Sequence, residues 1–197
     1  MSARDPVAPE AALPQRVDAI QAAFDTRGFK ATEAVAELDR LAQEEWVPRN
    51  GARVVAKAWT DPAFRARLLA NGRDAVTELG LAMPRHHRHL VVLENTPHVH
   101  NVICCTLCSC TAFTIIGLPP DWYKDLEYRA RIVRQSRTVL KEMGLDLPPE
   151  VEIRVWDTTA DTRYMVLPMR PAGTEGWSEE RLAAIVTRDA MIGVARL

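Results

Sequence analysis

The chain has 197 residues, 47% of them hydrophobic, enough to bury a sizeable core in one domain with an appended arm. Its 25 basic and 26 acidic residues leave a formal net charge of -1, which removes the electrostatic case for nucleic acid or an anionic membrane as a partner. No stretch approaches a transmembrane span, and Met1-Ser2-Ala3-Arg4-Asp5-Pro6 lacks the apolar core of a secretory signal, so a cytoplasmic location is expected.

Pro6, Pro9 and Pro14 among alanines predict a flexible lead-in over residues 1 to about 15. Val17, Ile20 and Phe24 then recur at helical spacing up to Gly28, and Thr32 reads as the N-cap of a second helix carrying Val35, Leu38 and Leu41. Two helices of this size have little core of their own and read as an interaction arm. Pro48 and Asn50-Gly51 predict a boundary before a helix from Ala52 to Trp59. Asp61-Pro62 starts the next, burying Phe64, Leu68 and Leu69 and stopping at Asn71-Gly72, and a short helix runs on towards Leu79 and Gly80. Arg85-His86-His87-Arg88-His89 lacks interleaved aromatics and reads as a solvated loop.

Leu90-Val91-Val92-Leu93 and Val99 to Cys104 are the first strand signals. The Gly117-Leu118-Pro119-Pro120 turn leads to a helix with Tyr128, Ile132, Val133, Val139 and Leu140. Val151 to Trp156 alternates strictly, and Arg163 to Leu167 follows after a polar turn, which predicts a hairpin. Ser178 with Glu179 and Glu180 opens a last helix bearing Leu182, Ile185 and Val186. Helices first, strands in the middle and a late helix make an α+β domain.

Chemistry concentrates in Cys105-Thr106-Leu107-Cys108-Ser109-Cys110. The thiolates of Cys108 and Cys110 and the amide nitrogens of Ser109 and Cys110 can bind one ion through small, nearly unstrained chelate rings. Cys105 can reach the same ion from one side, which leaves the opposite position open. Deprotonated amides require a strongly acidic ion, and the mixed sulfur and nitrogen set favours Co(III) or Fe(III) over zinc. On spacing alone, a zinc site completed by His98 or His100 stays open, although no second C-x-x-C exists. A thioredoxin-like pair is disfavoured because Thr111, Phe113, Thr114, Ile115 and Ile116 make a poor helix opening. Four cysteines within seven residues cannot staple distant segments as disulfides. Cys104, adjacent to Cys105, reads as a small buried residue at a strand end.

The run Val102-Ile103-Cys104-Cys105-Thr106-Leu107-Cys108-Ser109-Cys110 resembles the metal-binding motif of the nitrile hydratase alpha subunit. Pro48 to Ala56, Glu94-Asn95-Thr96-Pro97, Gly117-Leu118-Pro119-Pro120 and the tail from Val151 through Val194 extend the likeness. The resemblance implies a layered α-β-β-α domain over residues 48–197, with residues 1–47 as an N-terminal helical arm for a beta subunit. It further implies that Cys105, Cys108, Ser109 and Cys110 hold the metal, with Cys108 as sulfinate and Cys110 as sulfenate. Arginines of the beta subunit neutralise those oxygens in the family, and the sequence identifies none near the loop in this chain. The implied reaction is hydration of a small-molecule nitrile to its amide, polarised by the ion. Cys110 or a water would be the nucleophile, and Ser109 a hydrogen-bonding catalytic partner.

Thr106 goes with cobalt in that family, where Ser goes with iron, and loading by an activator or metallochaperone is implied as well. Cobalt-type members usually continue Cys-Tyr-Pro-Trp, whereas Cys110-Thr111-Ala112-Phe113 stands here, which predicts a reshaped pocket mouth and a bulkier nitrile. Two alternatives stand beside this reading: a thiocyanate hydrolase-type subunit, and a non-catalytic zinc-stabilised interaction module.

Overall fold

A computed structural model describes residues 12–108 and 110–197. By its internal contacts the chain divides into two compact units, residues 1–41 and 42–197. Helices α1 (Leu13–Thr26) and α2 (Ala31–Glu44) bury none of their residues. Gly28, at φ 73°, makes the left-handed turn between them. Thr32 lies inside the first turn of α2 instead of capping it, because the chain is already helical at Ala31. No described helix is long and apolar enough to cross a membrane.

Helix α3 (Pro48–Thr60) begins earlier than the sequence predicts, since Pro48 occupies the first turn, where its missing N–H costs nothing. Asn50-Gly51 is thus helical and not a boundary. A Cβ on Gly51 would come within 2.6 Å of Met191 Sδ, so this glycine marks a close packing site. Asp61 caps α4 (Pro62–Ala70) by accepting from the Phe64 N–H at 2.9 Å, and Asn71 caps α5 (Gly72–Thr77). Phe64 and Leu68 from α4 join Val54 and Val55 of α3 in the core.

The strands form two parallel pairs. Strand β1 (His89–Glu94) pairs with β4 (Thr162–Leu167), His89 opposite Thr162, and β2 (Val99–Cys104) pairs with β3 (Glu152–Asp157), Cys104 opposite Asp157. The predicted hairpin of β3 with β4 is therefore wrong. The turn between them hands the chain from one sheet to the other: Thr158 N–H extends the β2 ladder to the Cys104 carbonyl, and the Asp161 carbonyl opens the β1 ladder by accepting from His89 N–H. Burial supplies the reason. Met165, Val166 and Leu167 are almost fully enclosed while β3 keeps one face partly wet, a difference that separate layers can satisfy.

Parallel pairing demands a long crossover, and between β2 and β3 it carries α6 (Phe113–Ile116), α7 (Asp121–Lys124), α8 (Leu126–Ile132) and α9 (Ser136–Glu142). The single helix expected to carry Tyr128 through Leu140 is split, α8 ending at Ile132 and α9 starting at Ser136. Asp125 caps α8 by accepting from the N–H groups of Glu127 and Tyr128, which fixes a break before it. Phe113 to Ile116 also forms a helical turn where a poor helix opening was expected. After β4, α10 (Glu179–Ile185) packs on α3, and α11 (Arg188–Ile192) ends at Gly193. Helices α4 and α5 cover β1, β4 faces β2, and α9 covers β3, giving an α+β domain layered helix, sheet, sheet, helix.

Candidate metal centre

The loop leaves the C-terminal end of β2. Alternation along that strand turns Cys104 and Cys105 to opposite sides, and both are buried. Cys104 is fully enclosed, and burial pushes its thiol up to about 12, as suits a packing residue. Cys105 Sγ lies 3.3 Å from Cys108 Sγ, and Cys108 Sγ lies 2.8 Å from Cys110 Sγ. All three sulfur atoms fall within 4.8 Å of one another, a spread that a single ion can bridge. None of the chain's cysteines is in a disulfide. Ser109, expected to contribute its amide, lies outside the described residues.

Three elements hold the loop. Asp157, at the end of β3, accepts from Thr106 N–H at 2.9 Å and from Thr106 Oγ1 at 2.5 Å. Arg129 of α8 donates to the Cys108 carbonyl at 2.8 Å, and the Tyr123 hydroxyl of α7 donates to the Cys110 carbonyl at 3.2 Å. Tyr128 donates to the Ile103 carbonyl, and Thr158 Oγ1 to that of Cys104, so the strand end beneath the loop is tied as well. The bonds from Arg129, Tyr123, Tyr128 and Thr158 end on backbone carbonyls and not on sulfur. Burial, and next its hydrogen bond with Cys108, raise the Cys110 thiol above the ordinary thiol range, so loading a cation here must release protons.

The zinc alternative loses its fourth ligand. His100 is buried at the opposite end of β2, with Nε2 2.8 Å from the Gly193 carbonyl oxygen and Nδ1 3.2 Å from Asn95 Nδ2, and His98 is exposed. Neither joins the cysteine cluster.

Beside Cys110 opens a cavity of about 410 Å³, lined by His86, His87, Thr111, Phe113, Leu118, Pro119 and Arg163. The basic cluster around His87 is thus not simply a solvated loop. His87 is 2% exposed, and Phe113 packs against it at 5.4 Å. Burial first, then the charges of Arg163, His86 and Arg73, lower its pKa to about 4. Folding therefore favours neutral His87, and its share of stability is complete above about pH 6.5 and lost as pH falls towards 4. A His87→Leu variant should lack that loss, on the order of 1–3 kcal/mol, in urea melts compared with wild type across this window.

Of the departures after the loop, Thr111 and Phe113 line the cavity, whereas Ala112 is fully buried away from it. Sequence reasoning also missed Arg163. It is 4% exposed and shares a strand face with Met165 and Leu167. A charge in phase with buried apolar residues was the available signal.

The chain is similar to several known proteins. The alpha subunit of a Rhodococcus sp nitrile hydratase is 52% identical over 91% of this chain and 90% of its own. The cobalt-containing nitrile hydratase subunit alpha of Pseudonocardia thermophila is 47% identical over 91% and 88%. The gamma subunit of Thiobacillus thioparus thiocyanate hydrolase is 46% identical over 75% of this chain and 65% of its own. In structure, a double mutant of the Fe-type nitrile hydratase from Comamonas testosteroni Ni1 superposes with a TM-score of 0.89 at 61% identity, covering 94% of this chain and 90% of that one. With residues 11–195 matched by the family model for the nitrile hydratase alpha chain, this protein belongs to that family.

Proposed function

We propose that this chain is the metal-bearing alpha subunit of a nitrile hydratase that works with a beta subunit and converts a bulky nitrile to its amide. The observation that carries the reading is the gathering of Cys105, Cys108 and Cys110 sulfur atoms within 4.8 Å at the wall of a cavity. These sulfur atoms, with the amides of Ser109 and Cys110, would hold cobalt in preference to iron, with Cys108 as sulfinate and Cys110 as sulfenate. Thr106 favours cobalt by family correlation, and the matched relatives include both cobalt-containing and Fe-type proteins. Once bound, a trivalent ion supplies Lewis acidity that makes a nitrile carbon electrophilic.

The chain's own residues do the rest. Asp157, Arg129 and Tyr123 fix the loop backbone, so the sulfur atoms are positioned before a ligand arrives. Phe113, Leu118 and Pro119 give the cavity an apolar wall that takes the organic part of the nitrile. Neutral His87 adds no charge to that wall. A water, or an oxygen on Cys110 whose S–O bond breaks in the turnover and is re-formed from water, would attack the nitrile carbon, with Ser109 as its hydrogen-bonding partner. The net change is one water added across the triple bond, oxygen to carbon and both protons to nitrogen. Residues 1–47 would serve as the arm that engages the beta subunit, and a metallochaperone or activator would load the ion in the cytoplasm.

The test is the complex matured with its own partner subunit and assayed on benzonitrile, acetonitrile and thiocyanate, with metal analysis alongside. Benzonitrile hydration preferred over acetonitrile, with bound cobalt, is the expected result. Preference for thiocyanate would make it a thiocyanate hydrolase-type subunit, zinc with unoxidised thiols would overturn the enzyme, and preference for acetonitrile would sink the bulky substrate.

A further inference from the structure

Arg163 is a buried cation without an anion. Its Nη1 donates to the carbonyls of Thr159 and Thr162, at 2.6 and 3.1 Å, and its Nε has no partner. Among the described residues, no carboxylate pairs with it, although the guanidinium is 96% removed from solvent. The surroundings add positive charge, because Arg73 donates to the carbonyl of His87, which lines the same cavity, and acts, like Arg163, on its ring. An uncompensated charge at such a place is strongly unfavourable unless something negative meets it. Among the described residues that line this cavity, Cys110 alone has a side chain able to become an anion. Three thiolates and two deprotonated amides would outweigh a trivalent ion, leaving the loaded loop net negative.

We propose that Arg163 is this chain's own counter-cation for the metal loop, held by β4 on the Cys110 side so that the anionic donor set is neutralised in part before any partner subunit contributes. This rests on the metal-bearing reading above. Arg163 is a positioning residue here: lining the same cavity as Cys110, its charge offsets that of the loaded donor set and holds the ion in place, and it takes no part in bond making. Strand register sets the placement, since Arg163 sits opposite Leu90 near the start of β4 and is anchored through two backbone carbonyls.

The experiment compares wild type, Arg163→Lys, Arg163→Gln and Arg163→Met in the complex matured with its partner subunit. Three readouts other than turnover are followed: metal lost to a chelator over time, the visible sulfur-to-metal absorption band, and oxygen atoms on the cysteines by intact mass. Arg163→Met and Arg163→Gln should lose metal about tenfold faster, with a shifted band and fewer cysteine oxygens, while Arg163→Lys should follow wild type. Neutral variants that melt with wild type and match it in all three readouts overturn the proposal. So does a lysine variant as defective as the neutral ones, because charge would then not be the property that matters. If Arg163→Met fails to fold, Arg163→Gln, which keeps donors for the backbone carbonyls, decides by the same comparison. A wild-type complex without cobalt, iron or cysteine oxygens defeats the metal-bearing reading and this proposal together. Loaded wild type with indifferent variants defeats this proposal alone.

Discussion

Asp157→Ala should weaken metal retention by about 10- to 100-fold while leaving the fold in place. Asp157 touches no sulfur. It grips Thr106 twice, through the N–H and the hydroxyl, and thereby sets the path of the loop between Cys105 and Cys108. Hydrogen bonds to a charged acceptor contribute about 1.5–3 kcal/mol each, and both face the exposed side of the site, so the smaller end of that range applies. Asp157→Asn keeps one acceptor oxygen and should fall between the two. The measurement is competition with a chelator of known affinity, read beside a thermal melt. An alanine variant that melts normally and holds metal as tightly as wild type would show that the loop is set by Arg129 and Tyr123 alone.

Gly193→Ala should be the most damaging single substitution outside the loop. Gly193 has φ 97°, where a side chain is strained, and a Cβ there would lie 2.1 Å from the Asn101 carbonyl oxygen. Asn101 belongs to β2, so the neighbour that must yield is sheet backbone. The Gly193 carbonyl also lies 2.8 Å from His100 Nε2, which ties α11 to the same strand. Strain and steric conflict together predict a loss of about 3 kcal/mol or more, equivalent to a melting point lower by about 10 °C in a chain of this size. Calorimetry on the variant checks it; an unchanged melting point would mean that α11 can move away from β2 without cost.

The cysteine cluster was legible because it is local: three thiols within six residues come together without any distant element being needed to see it. Cap residues were legible for the same reason, as Asp61 and Ser178 show by accepting from the first turns of α4 and α10. Strand pairing was not. A short polar turn between two alternating segments looks like a hairpin, yet the partners of β3 and β4 lie in β2 and β1, and layer burial chose them over the neighbour in sequence. The cavity suffered from the same blindness. His87 looked like one of several basic residues on a loop until Phe113 and Arg163 closed over it, and Arg163 looked like an ordinary strand residue. Both are functional candidates only through contacts made across long stretches of chain.

Parallel pairing of β2 with β3 puts Cys104 and Asp157 at the same sheet edge, which has a consequence for timing. Thr106 and the carboxylate that fixes it are 51 positions apart in the chain. A nascent polypeptide that has emerged only through Cys110 carries every sulfur donor but lacks the strand, the arginine and both tyrosines that shape them. Synthesis must run past Asp157 before the ligand geometry exists. An ion that met the growing chain before that point would find three thiols with no fixed geometry, so the order of the cysteine cluster depends on chain made well after it.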